Sequence, residues 1–230
     1  MTAIDFLVER TLRVSLIIPC FDAEPYIEAA VNSALTQGRP PDEIIVVDDG
    51  SNDHSESLAR QIGQSVRVVR QAHLGISAAR NRGLAESTGD LVAFLDADDL
   101  WPPNSLDLRL GILLKDHRLA YAFGGIETFD HETGAMALEG MAGRLPGALL
   151  VRREVFDRIG GFDTGLRTGE FIDWVSRADA AGCRSAAVPD IVLRRRIHAN
   201  NITRDKPSLY QDYLMVLRRK IARGRTPMRI

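Results

Sequence analysis

Cysteine is scarce: the 230 residues hold two, Cys20 and Cys183, far apart and in apolar surroundings. That spacing fits neither a metal-ligand pattern nor a disulfide framework, so the expectation is a pair of reduced thiols. A secretory leader is not expected either, because "MTAIDFLVERTLR" has acids where such a segment needs basic and then apolar residues. No apolar run approaches the roughly 20 residues that cross a bilayer, so the expected location is the cytoplasm. Neither sign of charge dominates: 29 Lys and Arg stand against 31 Asp and Glu, a formal net charge of −2. The chain therefore has no general pull toward nucleic acid, which is excluded as a partner. Two glycine-rich phosphate loops are absent as well. Without G-x-x-x-x-G-K-[ST] a P-loop nucleotidase is disfavoured, and without G-x-G-x-x-G after the first strand so is a dinucleotide dehydrogenase. Any diphosphate bound here needs metal and basic side chains instead.

What is present is an ordinary globular composition, 45% hydrophobic and 26% charged, with neither repeats nor low-complexity linkers. The first half alternates. Apolar runs at "RVSLIIP" (13–19), "DEIIVVDDGS" (42–51), "SVRVVRQ" (65–71) and "DLVAFLDA" (90–97) read as strands. Helical spacing falls between them at 23–37, 54–63 and 76–87. Val- and Ile-rich strands separated by helices predict a parallel sheet covered on both faces, doubly wound in the Rossmann manner. After residue 100 the pattern turns mixed. A helix is expected over 103–116 with Pro103 in its first turn, then a strand over 119–130 and a hairpin turn around Gly134. A strand, a short helix and a glycine-stopped turn follow over 147–163, then a helix over 170–182, extended chain over 185–198 and a closing basic helix. The reading is one α/β domain over 1–230: a nucleotide-binding half (12–100), an acceptor-side half (101–205) and a basic C-terminal helix (206–230). That last segment, amphipathic and rich in Arg, reads as a helix whose short apolar face docks on the domain, with peripheral contact at the inner face of an anionic membrane as the alternative.

Acids collect where the parallel strands end, which is where open α/β sheets bind ligands. Asp22 follows the first strand, Asp48 and Asp49 end the second, and Asp96, Asp98 and Asp99 follow the fourth. Asp53, before the second helix, reads as a cap. Clustered carboxylates repel unless a cation or a protonation shift offsets them. Hard oxygen ligands suit Mg²⁺ or Mn²⁺, and Mg²⁺ is commonly held by one or two carboxylates plus substrate phosphates.

"VSLIIPCFDAEPYIEAAVNSALTQ", "EIIVVDDGSND", "GISAARNRGLAESTGDLVAFLDADDLWPP" and "GEFIDWVSRADAAG" together resemble the family 2 glycosyltransferases of the GT-A fold, in order and spacing, from about residue 12 to about residue 200. The resemblance implies a Rossmann-like, doubly wound mixed sheet flanked by helices. It implies transfer of a sugar from a nucleoside diphosphate sugar, UDP-linked by preference, with inversion at the anomeric carbon. By position, Pro19, Phe21, Asp22, Asp48 and Asp49 would hold base and ribose. Asp96, Ala97 and Asp98 would form the D-x-D element on ribose and the metal-bridged diphosphate, with Asp99 a further contact. Arg80 and Asn81 would brace the acidic loop or reach the phosphates. Mn²⁺ or Mg²⁺ would sit on Asp98, Asp96 and His198, and Arg194 and Arg196, which share one face of a strand, would meet the diphosphate. The acceptor would be a glycan, a peptide or a small molecule.

One departure stands out. The family's acidic pair at the start of the "GEFIDW" helix has Phe171 in its second position. Glu170 and Asp173, three apart on one helix face, are left as equal candidates for the base that takes the acceptor proton. Trp101 and Trp174 read as packing residues. Two other readings stay open: a non-catalytic nucleotide-sugar-binding module, and a nucleotidyltransferase, whose glycine-rich basic loop "PCFDAEPY" lacks.

Overall fold

Four parallel strands grow out of the Val- and Ile-rich runs: β1 (Val14–Cys20), β2 (Glu43–Asp48), β3 (Val66–Arg70) and β4 (Leu91–Phe94). All seven residues of β1 are buried, as are all four of β4, the mark of strands covered on both faces. Three helices make the crossovers: α1 (Ile27–Leu35), α2 (Ser55–Gln61) and α3 (Ile76–Glu86). The computed structural model describes residues 12–166, 168–198 and 214–218.

Beyond β4 come α4 (Ser105–Lys115), β5 (Leu119–Asp130), β6 (Met136–Gly143), β7 (Leu150–Arg152), α5 (Arg153–Ile159), α6 (Glu170–Ala180) and β8 (Arg184–Ile197). They extend the same sheet in the order β3-β2-β1-β4-β7-β5-β6. β7 runs antiparallel to β4 and β5, whereas β8 runs parallel to β5 along its length. The fold is thus a single doubly wound, mixed-sheet domain with flanking helices. The β5–β6 hairpin turns through Gly134 at φ 67°, where the Gly134 N–H donates to the Asp130 carbonyl at 2.9 Å. Gly182, at φ 73°, follows α6.

Two expectations need correction. α1 begins at Ile27 and not at residue 23, because the Ala23 carbonyl accepts the N–H groups of Tyr26 and Ile27 and closes a turn there. Pro103 lies ahead of α4: Asn104, left-handed at φ 63°, is the residue that turns the chain into the helix. Trp101 and Trp174 are core residues, as expected. Trp101 Nε1 donates to the Gly147 carbonyl at 2.8 Å, its ring lies 4.5 Å from the buried Arg109 guanidinium, and Trp174 Nε1 reaches the Gly160 carbonyl at 3.2 Å. Of the closing segment, 214–218 are helical and the rest, like residues 1–11, lies outside the described residues. No helix of the described residues is long and apolar enough to cross a membrane.

Candidate active site

The parallel strands deliver their carboxyl ends side by side. Pro19 and Cys20 are the buried last residues of β1, and the exposed Phe21 and Asp22 follow. Asp22 adopts a left-handed φ of 46°, a conformation that short polar side chains tolerate. Its carboxylate accepts the Asn52 N–H at 2.7 Å, and its own N–H donates to Ser51 Oγ at 3.0 Å. So the β1 and β2 loops are tied to each other. Asp53 accepts from Ser55 N at 2.9 Å and Glu24 N at 3.0 Å, tying the start of α2 to the β1 loop, while the N-cap position falls to His54 without a side-chain cap.

Asp48 and Asp49 both turn inward. Asp48 is fully buried, its Oδ2 2.9 Å from Arg70 Nη1. Asp49 accepts from Gln71 Nε2, Leu74 N and Gly75 N at 2.7, 2.9 and 2.8 Å. It thereby fixes the loop that leads into α3, with the exposed His73 ring tilted against Phe21 at 4.1 Å beside it.

After β4 the chain folds sharply, the Asp99 N–H donating to the Asp96 carbonyl at 3.0 Å. The three carboxylates part company. Asp96 goes to Arg80, whose Nη2 lies 2.6 Å from it. Asp98 faces His198, with Nε2 at 2.9 Å from Oδ2. Asp99, expected at a metal or sugar, is buried behind the loop, where it accepts the Arg196 N–H at 2.9 Å. Burial raises the pKa of Asp98, the Asp96 charge raises it further, and His198 opposes both. Asp99 is pushed well above the ordinary carboxylate range by burial and by the charges of Asp98 and Asp96. The sequence sets down more negative charge than this tip holds comfortably, which is the electrostatic condition a cation relieves. Among the described residues no group of three or more His, Cys, Asp or Glu is arranged to hold a metal ion. Asp96 is committed to Arg80, which leaves Asp98 and His198 as the pair that could hold a cation.

Arg80 is the hinge of the arrangement. It is 1% exposed on α3, and its Nη1 lies 2.5 Å from Glu170 Oε1 while Nη2 holds Asp96. One guanidinium fork thus joins the acidic loop to the N-terminus of α6, the planar two-sided geometry that arginine supplies and lysine does not. Its neighbour Asn81 clamps Phe162 in both directions, donating to its carbonyl and accepting its N–H at 2.8 Å each. Asp173, one turn beyond Glu170, points elsewhere. It is 2% exposed and pairs at 2.8 Å with Arg177, which donates to the carbonyls of Ile159 and Gly161. Phe171 packs between Phe162 and Trp174, at 6.2 and 6.0 Å between centroids. An acid at that position would be buried among rings.

Arg194 and Arg196 do share a face, both stacking over the Phe129 ring at 5.8 and 4.7 Å. Arg194 is exposed and Arg196 half-buried. Arg194 pairs with Glu127, and Arg196 Nε donates to the Asp98 carbonyl at 2.8 Å. Both guanidinium groups thus have protein partners, and β8 lies against the acidic loop.

The model for glycosyl transferase family 2 matches residues 15–168. The chain belongs to glycosyl transferase family 2. Among curated relatives, the putative teichuronic acid biosynthesis glycosyltransferase TuaG of Bacillus subtilis is 37% identical over 116 residues, 49% of this chain and 46% of TuaG. The UDP-Glc:alpha-D-GlcNAc-diphosphoundecaprenol beta-1,3-glucosyltransferase WfgD of Escherichia coli is 30% identical over 122 residues, 52% of this chain and 48% of WfgD. The matches span under half the length of either relative. Among solved structures, the mannosyltransferase PcManGT of Pyrobaculum calidifontis, in complex with GDP-Man and Mn²⁺, superposes with a TM-score of 0.73 at 21% identity, over 94% of this chain and 66% of that one. S. aureus TarS 1–349 in complex with UDP-GlcNAc gives 0.74 at 18%, over 92% and 66%. These likenesses establish the GT-A fold.

Three side chains of this family 2 domain's site went unnoticed in the sequence. Gln71 and His73 hold or flank Asp49, and Tyr26 stacks on His198 at 4.8 Å. No local pattern marks them, since each acquires its partner only through tertiary contact.

Proposed function

We propose that this domain transfers a sugar from a nucleoside diphosphate sugar, UDP-linked by preference, to an acceptor hydroxyl, with inversion and with Mn²⁺ or Mg²⁺. The observation that carries the reading is the Asp98–His198 pair, at 2.9 Å, on the strand-end edge beside Asp96, Arg80 and Glu170. Carboxylate oxygen and imidazole nitrogen together suit Mn²⁺ well, and diphosphate oxygens would complete the coordination. When bound, the cation neutralises charge on the departing diphosphate. UDP is favoured because the name of WfgD specifies a UDP-linked donor, although PcManGT was solved with GDP-Man. Residues 12–100 would bind the nucleotide and 101–205 would face the acceptor.

The acceptor oxygen attacks the anomeric carbon, the bond to the diphosphate breaks with its electron pair leaving on phosphate oxygen, and the acceptor proton passes to a carboxylate. Of the two candidates, Glu170 is the one joined to the acidic loop, through Arg80, whereas Asp173 faces the Ile159–Gly161 turn. We therefore assign Glu170 as the base and Arg80 as the group that orients it.

A second reading, a binding module that holds the nucleotide sugar without turning it over, is favoured by one observation: both acids are ion-paired and Phe171 is core. Family membership leaves the nucleotidyltransferase reading without support. Measuring nucleotide release from a panel of nucleotide sugars and acceptors, with Mn²⁺ or EDTA, decides among these. Metal-dependent release that Asp98→Ala abolishes supports transfer. Donor binding without release under any acceptor supports the module, and no donor binding defeats both.

A further inference from the structure

Tyr26 lies in the β1–α1 loop, and its ring contacts lead straight to the acidic site. It stacks on His198 with centroids 4.8 Å apart and planes at 29°, and His131 meets it edge-on at 5.0 Å and 85°. The Arg196 guanidinium lies 5.2 Å from the same ring, donates through Nε to the Asp98 carbonyl, and brings Nη1 to 3.2 Å from His131 Nδ1. His131, at the β5–β6 turn, donates its N–H to the Ile197 carbonyl at 3.0 Å. Four segments distant in sequence therefore converge: the β1–α1 loop, the acidic loop, the hairpin turn and the end of β8.

We propose that Tyr26 is a positioning residue for His198, its ring fixing the imidazole so that Nε2 faces Asp98. The inference rests on the reading of Asp98 and His198 as a cation-holding pair. A stacked neighbour restrains rotation of an imidazole about its bond to Cβ while leaving both ring nitrogens open at the edge, since stacking uses only the faces. Tyr26 is well placed to supply that restraint because its backbone is pinned: its N–H donates to the Ala23 carbonyl at 2.9 Å and its carbonyl accepts the Ala30 N–H at 3.0 Å. The Arg196 guanidinium meets the same ring and ties it to the loop that carries Asp98, so the two partners are set by one brace. The contacts are made by the ring, so phenylalanine should replace tyrosine without loss.

The test compares Tyr26→Phe, Tyr26→Ala and Tyr26→Leu by two measurements. In metal-free protein, imidazole nitrogen NMR should show the His198 resonances displaced in Tyr26→Ala and Tyr26→Leu and unmoved in Tyr26→Phe. In Mn²⁺ titrations with UDP followed by electron paramagnetic resonance, Tyr26→Ala should weaken Mn²⁺ by about 10- to 100-fold, the range found for groups that orient metal ligands. His198→Ala should do the same, and the double variant should lose nothing further. Unmoved His198 resonances in both Tyr26→Ala and Tyr26→Leu, or additive losses in the double variant, overturn the proposal. Should Tyr26→Ala unfold, Tyr26→Leu carries the comparison. If the unaltered protein binds no Mn²⁺ in the presence of UDP, the metal reading fails, and the NMR comparison still decides whether Tyr26 orients His198.

Discussion

Glu170 and Asp173 sit one helical turn apart and meet different arginines, so identical side-chain chemistry has been given two jobs by its partners. Glu170 shares Arg80 with Asp96, and Asp173 shares Arg177 with the Ile159–Gly161 turn. Glu170→Gln is expected to lower turnover by about 10²-fold or more, the usual yield of a general base, with donor binding retained. Asp173→Asn is expected to cost about 1–3 kcal/mol of stability, as a buried charged hydrogen bond is weakened, with the remaining folded protein still active. Steady-state rates and denaturant melts on both variants check this, and the opposite assignment of effects would sink it. Cys20 gives a residue-scale prediction of another kind. Burial, with lesser contributions from the charges of Asp48 and Asp53, raises its thiol pKa from the ordinary 9.0 to about 12. The folded state thus holds the proton longer than the unfolded one. The resulting stability is complete below pH 9 and is lost as pH rises through the interval toward 12. Unfolding free energies from denaturant melts at pH 8 and pH 10.5 should differ by about 2 kcal/mol more in the native sequence than in Cys20→Ala. Equal pH dependence in the two proteins would refute the shift.

At the scale of elements, the parallel half was legible because its physics is local. Val- and Ile-rich runs such as "SLIIP" and "EIIVV" leave few options but buried strands, and helical spacing between them dictates crossovers. What escaped was set by packing. Nothing in "AEPYIEAA" shows that a turn on Ala23 delays α1, and Pro103 mimics a first-turn proline while Asn104 does the turning. Gly83 was equally silent. It lies mid-helix in α3, where glycine costs about 1 kcal/mol relative to alanine, yet a Cβ there would stand 2.3 Å from Ile17 Cγ2 in the fully buried β1. Close approach of α3 to β1 explains the residue. Gly83→Ala should therefore destabilise by about 1–3 kcal/mol through overpacking, against the gain in helix propensity. Adding Ile17→Ala should recover part of that loss, so the double variant is more stable than the sum of the singles predicts. Additive losses in thermal melts would show that the contact is not the cause.

At the scale of the whole molecule, the site is assembled from residues about as far apart in sequence as the fold allows. The acidic tips could be anticipated from "VVDDGS" and "LDADD" because strand ends in such sheets face the ligand edge. The pairing of β8 with that edge could not, since the Leu100–Arg194 bridge joins positions nearly a hundred residues apart, and His198 came beside Asp98 only through the family resemblance. For Arg80 the brace on the acidic loop followed from the resemblance, whereas its bond to Glu170 on α6 had no local signal. A site built across the sheet in this way couples its occupancy to global stability. If UDP and Mn²⁺ bind together, ligand at 100 times its dissociation constant adds about 2.7 kcal/mol. For a chain of this size that is a rise of roughly 5–10 °C in Tm. UDP with EDTA, or Mn²⁺ alone, should give little of it, because each supplies only part of the coordination. Asp98→Ala and His198→Ala should remove most of the combined shift while melting near the unaltered protein in the absence of ligand. A shift as large with EDTA as with Mn²⁺ would mean that the nucleotide is held by protein groups alone and that the Asp98–His198 pair serves the fold.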